Sequence, residues 1–237
     1  MFKIFFFLTT LFTILLKADN PLFIVYEERI PYVEKYSNSI KGLVATPVLK
    51  ALQYSGVKYK LKEKPSKRHL YEIKANINKM CAIGWFKNIQ REEFAKFTHP
   101  LYQDKPLGII SRKENENILK NISVDNLLKN RNLSLLSKAS YSYGSFLDEK
   151  IKNFKTIKKE VYTNNKKMLS MIVAKRADYL FISEEEAKIL LNDKAMNNLK
   201  FFSVKNIPKG NKRYLICSKN VSNETIKLIN KYIKPLK

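Results

Sequence analysis

The sequence predicts an α/β protein in two units, each a mainly parallel sheet flanked by helices, with a cleft between them. Three observations carry this. Short apolar runs alternate with amphipathic helical segments in a β-α-β-α-β order from residue 22 to residue 111. The same order starts again after about residue 107. No glycine-rich phosphate loop follows any predicted strand, which sets aside a nucleotide-binding Rossmann site.

The elements follow in order. Residues 22–26 form a continuous apolar run, the pattern of a strand covered on both faces. Thr46-Pro47 reads as a helix start, with Thr46 as N-cap and Pro47 in the first helical position. Val48, Leu49, Ala51 and Leu52 supply its buried face, and Gly56 ends it. Val57, Tyr59 and Leu61 alternate with lysines as in a half-buried strand. A second helix starts near Ser66, with Leu70, Ile73 and Ile77 three and four apart. Residues 80–84 and 106–111 are further buried strands. The second series reads strand 133–136, helix 142–151, strand 156–162, a helix through 168–172, strand 179–182 and helix 184–191. Strand 214–217 and helix 222–232 close the chain. Ligands in such open sheets sit at the carboxyl ends of the strands.

Composition narrows the class. The 237-residue chain has 45 Lys+Arg against 21 Asp+Glu, a formal charge of +24. At 45% hydrophobic and 12% aromatic it can bury a core, so wholesale disorder is excluded. With 6 Gly and 8 Pro, collagen-like and low-complexity architectures are excluded too. Two cysteines with His69 and His99 are too few for a disulfide-built scaffold or an all-cysteine zinc site. The charge raises nucleic acid as a partner, yet the basic residues are spread from Arg29 to Lys237 and form no arm. A generally basic solvated surface is the reading that follows, with attraction to anionic lipid or anionic solutes.

The first eighteen residues argue against a nucleic-acid partner on other grounds. Met1-Phe2-Lys3 precedes an apolar run from Ile4 to Leu16 broken only by Thr9, Thr10 and Thr13. The run is shorter than the ~20 residues of a spanning helix and fits the core of a secretory signal. Ala18 is a small residue before a cut, so residues 1–18 are expected to be removed and the mature chain to start near Asp19 in the periplasm. An uncleaved anchor is the alternative.

Several segments, in order and spacing, resemble the periplasmic solute-binding protein family 3, the substrate-binding components of polar-amino-acid ABC transporters, of type II periplasmic-binding-protein fold. They are Pro31-Tyr32-Val33-Glu34 after the first strand, Lys41-Gly42-Leu43-Val44-Ala45 before the first helix, and Gly56-Val57-Lys58-Tyr59-Lys60-Leu61 leading into the second strand. Cys81-Ala82-Ile83-Gly84-Trp85-Phe86 follows, then Arg91 with Phe97-Thr98-His99-Pro100 and Leu101-Tyr102. Tyr141-Ser142-Tyr143-Gly144 and Ala177-Asp178-Tyr179 match the second lobe. Together they span nearly all of residues 22–237.

The resemblance implies two lobes, lobe I from 19–103 and 204–237 and lobe II from 104–203, joined by crossings near 102–106 and 204–208. Closure around a solute would be read by an ABC-type permease, the chain itself being a monomer without cofactor or metal. Arg91 would pair with a ligand carboxylate, for which a planar two-pronged guanidinium is suited. Around it the implied site gathers Trp85, Phe86, Lys87, Arg29, Tyr32, Tyr141, Ser142 and Ser183. The departures bear on the ligand. Phe86 and Asn88 stand where amino-acid binders carry Ser or Thr, and Ser183 stands where an acidic residue holds the ligand ammonium, with Glu184 next to it as a substitute. Trp85 either stacks on ligand or wedges its loop. Arg29, Lys87 and Arg91 favour a small carboxylate-bearing solute, whether amino acid or other anion. No catalytic set or metal spacing supports an enzyme, so none is expected. A sensory receptor for a membrane partner, or a dehydratase-like enzyme on the same fold, are the alternatives. The resemblance puts Cys81 and Cys217 on one sheet, where an oxidising compartment permits a bond. Their apolar runs favour buried free thiols instead.

Overall fold

The computed structural model describes residues 21–120, 122–139 and 141–236. The predicted export signal at 1–18 lies outside the described residues. The first half contains β1 (Leu22–Tyr26), a hairpin of β2 (Glu34–Tyr36) and β3 (Ser39–Lys41), α1 (Ala45–Ser55), β4 (Tyr59–Glu63), α2 (Ser66–Lys74), β5 (Met80–Phe86), α3 (Ile89–Phe94), β6 (Ala95–Phe97) and β7 (Tyr102–Gln103). The chain then forms β8 (Leu107–Arg112), α4 (Glu116–Lys120), α5 (Val124–Lys129), β9 (Leu135–Lys138), α6 (Ser145–Asn153), β10 (Lys158–Val161), α7 (Asn165–Val173), β11 (Tyr179–Ser183), α8 (Glu184–Leu190) and β12 (Leu199–Ser203). It returns through β13 (Lys212–Ser218) and α9 (Asn223–Asn230).

Two sheets result. The first runs β4-β1-β5-β13-β6 with β7 beside β13, and the second β10-β9-β11-β8-β12. Strands β4 and β5 lie parallel to β1, and β10 and β11 parallel to β9, as the β-α-β rhythm requires. The antiparallel members are β8 and β13, the strands that enter each sheet directly after a passage between lobes. Such a strand arrives without a crossover helix, so nothing constrains it to run parallel. This is the two-lobed periplasmic-binding-protein fold, with helices covering both faces of each sheet.

Alternation along the strands builds the cores. Leu22, Ile24 and Tyr26 of β1 pack with α1 and α9, while Val25 turns to the opposite face with Ile73 of α2. In β5, Cys81 and Ile83 take the first face and Met80 and Ala82 the second. Strict alternation would send Trp85 with Cys81 and Ile83, yet it packs with Met80 and Ala82. The cause is a bulge at Gly84, whose φ of 81° lies in the left-handed region, where the register against β13 shifts. The bulge turns the indole towards α2.

Several sequence expectations are corrected here. Helix α1 begins at Ala45, and Val44 holds its cap position without a side-chain bond. Thr46 instead accepts from the Gly42 amide at 3.1 Å, tying the preceding turn. Gly56 does end α1 in a left-handed conformation. Helix α2 stops at Lys74 because Asn76 takes a positive φ of 52°, which leaves Ile77 exposed outside it. Helix α6 starts at Ser145 and not at Ser142, since Gly144 at φ 93° interrupts the chain before it. Cys81 and Cys217 are not free thiols: they form a disulfide. They are ladder partners on β5 and β13 with Cα atoms 4.0 Å apart, so both side chains leave the same face.

The chain passes between the sheets after β7 and again before β13. Val204 packs in the second core, Lys205 bridges Ser123 and Ile207 packs against the same core, so the return crossing follows residue 207. The two crossings touch. The Asp104 amide donates to the Asn211 carbonyl at 3.0 Å, and Gln103 Nε2 to the Gly210 carbonyl at 3.0 Å. A Cβ on Gly210 would stand 1.8 Å from the Asp104 carbonyl oxygen, so only glycine permits this approach.

Candidate functional site

Between the lobes lies a cavity of about 70 Å³. Lobe I lines it from the segment after β1, the start of α2, the end of β5, α3 and β13; lobe II contributes Tyr141 and Ser142. Of the sequence-derived residues, Arg29, Tyr32, Trp85, Phe86, Arg91, Tyr141 and Ser142 line it. Ser183 and Lys87 do not. Ser183 sits behind Tyr32, hydrogen-bonded to its hydroxyl across the lobes. Lys87 turns to the surface, 2.7 Å from Glu92.

Arg29 crosses the cleft. Its Nε donates to both oxygens of Glu186 at 3.0 and 3.1 Å, and its Nη2 to Glu186 Oε2 at 2.6 Å. Burial alone would lower the guanidinium pKa, but Glu186, Tyr141 and Tyr32 raise it well above its ordinary value. Its central carbon also stands 5.1 Å from the Tyr141 ring and 5.5 Å from the Tyr32 ring. Glu186 reaches this place from the first turn of α8, whose N-cap Ser183 accepts from the Glu186 amide at 3.4 Å. The expected substitute Glu184 faces solvent, paired with Lys188 at 2.7 Å and Lys105 at 3.5 Å.

Behind Tyr32 stands a second arginine. Arg213 holds Asp104 through Nε at 2.6 Å and Nη2 at 2.7 Å and donates to the Gly84 carbonyl at 3.1 Å. Its guanidinium lies 3.7 Å from the centre of the Tyr32 ring. Burial pushes the Tyr32 hydroxyl up to about 12, with Arg213 and Arg29 opposing. It therefore stays a neutral donor and acceptor.

Arg91 is placed by α3. Asn88 caps that helix by accepting from the Arg91 amide at 3.0 Å, which explains an asparagine where the resemblance leads one to expect Ser or Thr. The Arg91 Nη1 donates to the Phe86 carbonyl at 2.7 Å, and the guanidinium carbon lies 4.9 Å from the Trp85 ring. Burial lowers its pKa to about 10, with Asp148 opposing, so the group remains charged near neutral pH.

Trp85 both lines the cavity and wedges the core, and its ring has a second neighbour. His69 meets it edge-on at 6.1 Å and also lines the cavity. The imidazole is 1% exposed, and its polar neighbours are the backbone carbonyls of Lys64 and Tyr26. Burial lowers its pKa to about 4, against the raising influence of Glu27, the carbonyls of Lys64 and Tyr26, and Glu72. It is neutral at physiological pH. Glu27 accepts from Lys138 of lobe II at 3.3 Å and from the Ser66 amide at 3.3 Å. Lys138 also donates to the Tyr141 hydroxyl at 3.1 Å.

Glu27, His69, Arg213, Glu186 and Lys138 were not among the residues expected at the site. For Glu186 the sequence held a signal: Ser183 followed three residues later by Glu186 has capping-box spacing. The others converge only through tertiary structure. Among the described residues no three His, Cys, Asp or Glu side chains gather as a metal site.

No family model matches the chain, and no curated protein does. Solved structures do. An ancestral arginine-binding protein bound to arginine superposes with a TM-score of 0.69 at 16% identity, covering 90% of this chain and 91% of that one. The holo ArgBP of T. maritima gives 0.68 at 14%, covering 90% and 88%. An amino acid ABC transporter substrate-binding protein from Streptococcus pneumoniae, bound to L-arginine, gives 0.66 at 17%, covering 90% and 86%. At these identities the similarity establishes the fold.

Proposed function

We propose that this chain is an extracytoplasmic solute receptor that closes its two lobes on a small carboxylate-bearing solute and presents it to an ABC-type permease. The observation that carries the reading is the interlobe cavity, walled by Arg29, Arg91 and Arg213 and bounded by side chains from both lobes. A solute touching both lobes favours the closed state by the contacts it gains only there. Arg91, Arg29, Tyr32, Tyr141 and Ser142 are the contacts proposed from the cavity wall, with Trp85 and Phe86 shaping it. The export signal at 1–18 would deliver the chain to the periplasm. The lobes are then proposed as 19–103 with 208–237 for lobe I and 104–207 for lobe II. The fold is shared with binding proteins of amino acid transporters, which supports capture without chemistry; the receptor is proposed to act as a monomer.

The test is a thermal-shift screen of the mature chain against amino acids, dicarboxylates and small anions. Specific binding raises the melting temperature by mass action, saturably. A response from at least one carboxylate is expected, and silence across the panel would remove the receptor reading.

A further inference from the structure

Lobe I carries an exposed aromatic cluster at the end remote from the cleft. Helix α1 starts beside the cavity, where the Val44 and Ala45 amides both donate to the Tyr32 carbonyl at 3.1 Å. It returns from the carboxyl end of β1 to the start of β4, a strand parallel to β1, and so runs away from the cleft. Tyr54, in its last turn, lies about 14 Å along the axis from Ala45. There its ring meets that of Tyr232, just past α9, at 6.1 Å. Tyr54 is 65% exposed, Tyr232 37%, and Leu228, one turn before Tyr232, 42%. Among the described residues this is the only ring pair with both members exposed.

Lysines frame the rings. Lys50 stands one turn before Tyr54 on α1, Lys231 Nζ lies 5.8 Å from the Tyr232 ring, and Lys234 follows. All three are exposed, and among the described residues none has a carboxylate within ion-pair distance. Glu224, the only acid of the two helices, sits in the first turn of α9 beside Lys227, two turns from Tyr232. The principal cavities of the molecule are lined by other residues, so this face suits a broad surface better than a small molecule. Tyrosine and leucine ringed by lysines without countercharges match an anionic membrane interface. The rings have an apolar body and a polar tip for the headgroup layer, and the ammonium groups complement phosphate.

We propose that the α1–α9 face of lobe I docks reversibly on an anionic phospholipid bilayer. Tyr54, Tyr232 and Leu228 enter the headgroup layer, and Lys50, Lys231 and Lys234 meet its phosphates. Docked this way, the chain keeps its cleft clear of the bilayer and its second lobe able to move. This goes beyond the receptor reading and needs no solute, so the two stand or fall separately.

Co-sedimentation of the mature chain with vesicles tests it, using phosphatidylcholine alone or mixed with phosphatidylglycerol. Binding is expected to the mixed vesicles only, and should fall as salt is raised. Each lysine near an anionic surface strengthens binding about fivefold, so Lys50→Gln with Lys231→Gln should weaken it by roughly tenfold or more. Tyr54→Ser with Tyr232→Ser should weaken it as well. Lys167→Gln with Lys175→Gln, an equal loss of charge from exposed positions on the other lobe, should leave it within about twofold. Each variant is checked for an unchanged circular-dichroism spectrum. Equal weakening by the two lysine pairs would reduce the effect to overall charge and overturn the proposal. Equal binding to both vesicle types, binding to neither, or unchanged binding in the tyrosine variant would overturn it too. A wild-type dimer that the tyrosine variant converts to a monomer in light scattering would assign the face to a second copy instead.

Discussion

Arg29 and Glu186, 157 residues apart, meet across the cleft through three hydrogen bonds of 2.6 to 3.1 Å. The pair spans the lobes, with Tyr32–Ser183 and Glu27–Lys138 beside it, so the protein's own side chains hold the closed arrangement.

Breaking that pair should open the molecule. In Glu186→Gln the Arg29 guanidinium loses its countercharge, and keeping it enclosed would cost about 3–5 kcal/mol. The lobes can avoid that penalty by parting, which returns Arg29 to water. Small-angle scattering of the solute-free chain should therefore give a larger radius of gyration for the variant than for wild type. The double change Arg29→Met with Glu186→Leu should restore the compact value. Identical scattering from all three proteins would deny the pair any part in closure.

Acid should destabilise the fold through His69. Its pKa is about 4 when folded against an ordinary value of 6.5, so between those values the unfolded chain binds the extra proton. Stability is thus full above about pH 6.5 and falls as pH drops towards 4. Lowering pH from 7 to 5 should remove roughly 2 kcal/mol by this route. Glu72, held below its ordinary pKa by Arg68 and Lys64 despite burial, adds acid sensitivity only lower down, below the ordinary carboxylate range. Urea midpoints of wild type and His69→Phe at pH 7 and 5 separate the two. A pH-dependence of equal size in both proteins would contradict the assignment.

The disulfide should stabilise the chain substantially. Cys81 and Cys217 are separated by 136 residues, and the loop they close contains the whole second lobe. A cross-link of that span is worth about 2–5 kcal/mol, chiefly by restricting the unfolded chain. The double substitution Cys81→Ala, Cys217→Ala should lower the urea midpoint by a corresponding amount. A loss under about 1 kcal/mol would count against it.

The two glycines should respond differently to a methyl group. At Gly84 a Cβ meets only the Val44 side chain at 3.9 Å, so Gly84→Ala carries the positive φ alone, about 1–2 kcal/mol. At Gly210 the Cβ runs into the Asp104 backbone, and Gly210→Ala must separate the crossings. Thermal melts should show a clearly larger loss at Gly210. The reverse order would mean that the crossings do not pack as described.

The difference between what was legible and what was not follows from the range of the forces involved. Strand β1, helix α1 with its Gly56 cap, and strand β11 are local patterns of apolar spacing, and sequence carries them. Strands β6, β7 and β12 escape because β6 and β7 are only 3 and 2 residues long and β12 mixes Lys200 among its apolar positions. The bulge at Gly84 defeats alternation, so the face chosen by Trp85 could not be read from spacing. At the cleft, Tyr32 and Arg91 lie inside segments whose order resembles a known family, and Arg29 stands just before one of them as a departure from it. His69 and Arg213 arrive from a helix and a strand with no local signature of a site. The bond between Cys81 and Cys217 depends on strand register, which apolar context does not reveal.

Trp85 permits the most direct test of the central claim, that solute binds in the interlobe cavity. It is the single tryptophan of the chain and lines that cavity beside Arg91 and His69. A fluorescence titration with whichever solute raises the melting temperature should give a saturable change in tryptophan emission at the same midpoint. In Arg91→Gln, which removes the charged guanidinium from the indole face and the cavity wall, the solute-induced change should vanish. A rise in melting temperature with emission unaltered in the wild-type chain would put the solute elsewhere and contradict the account.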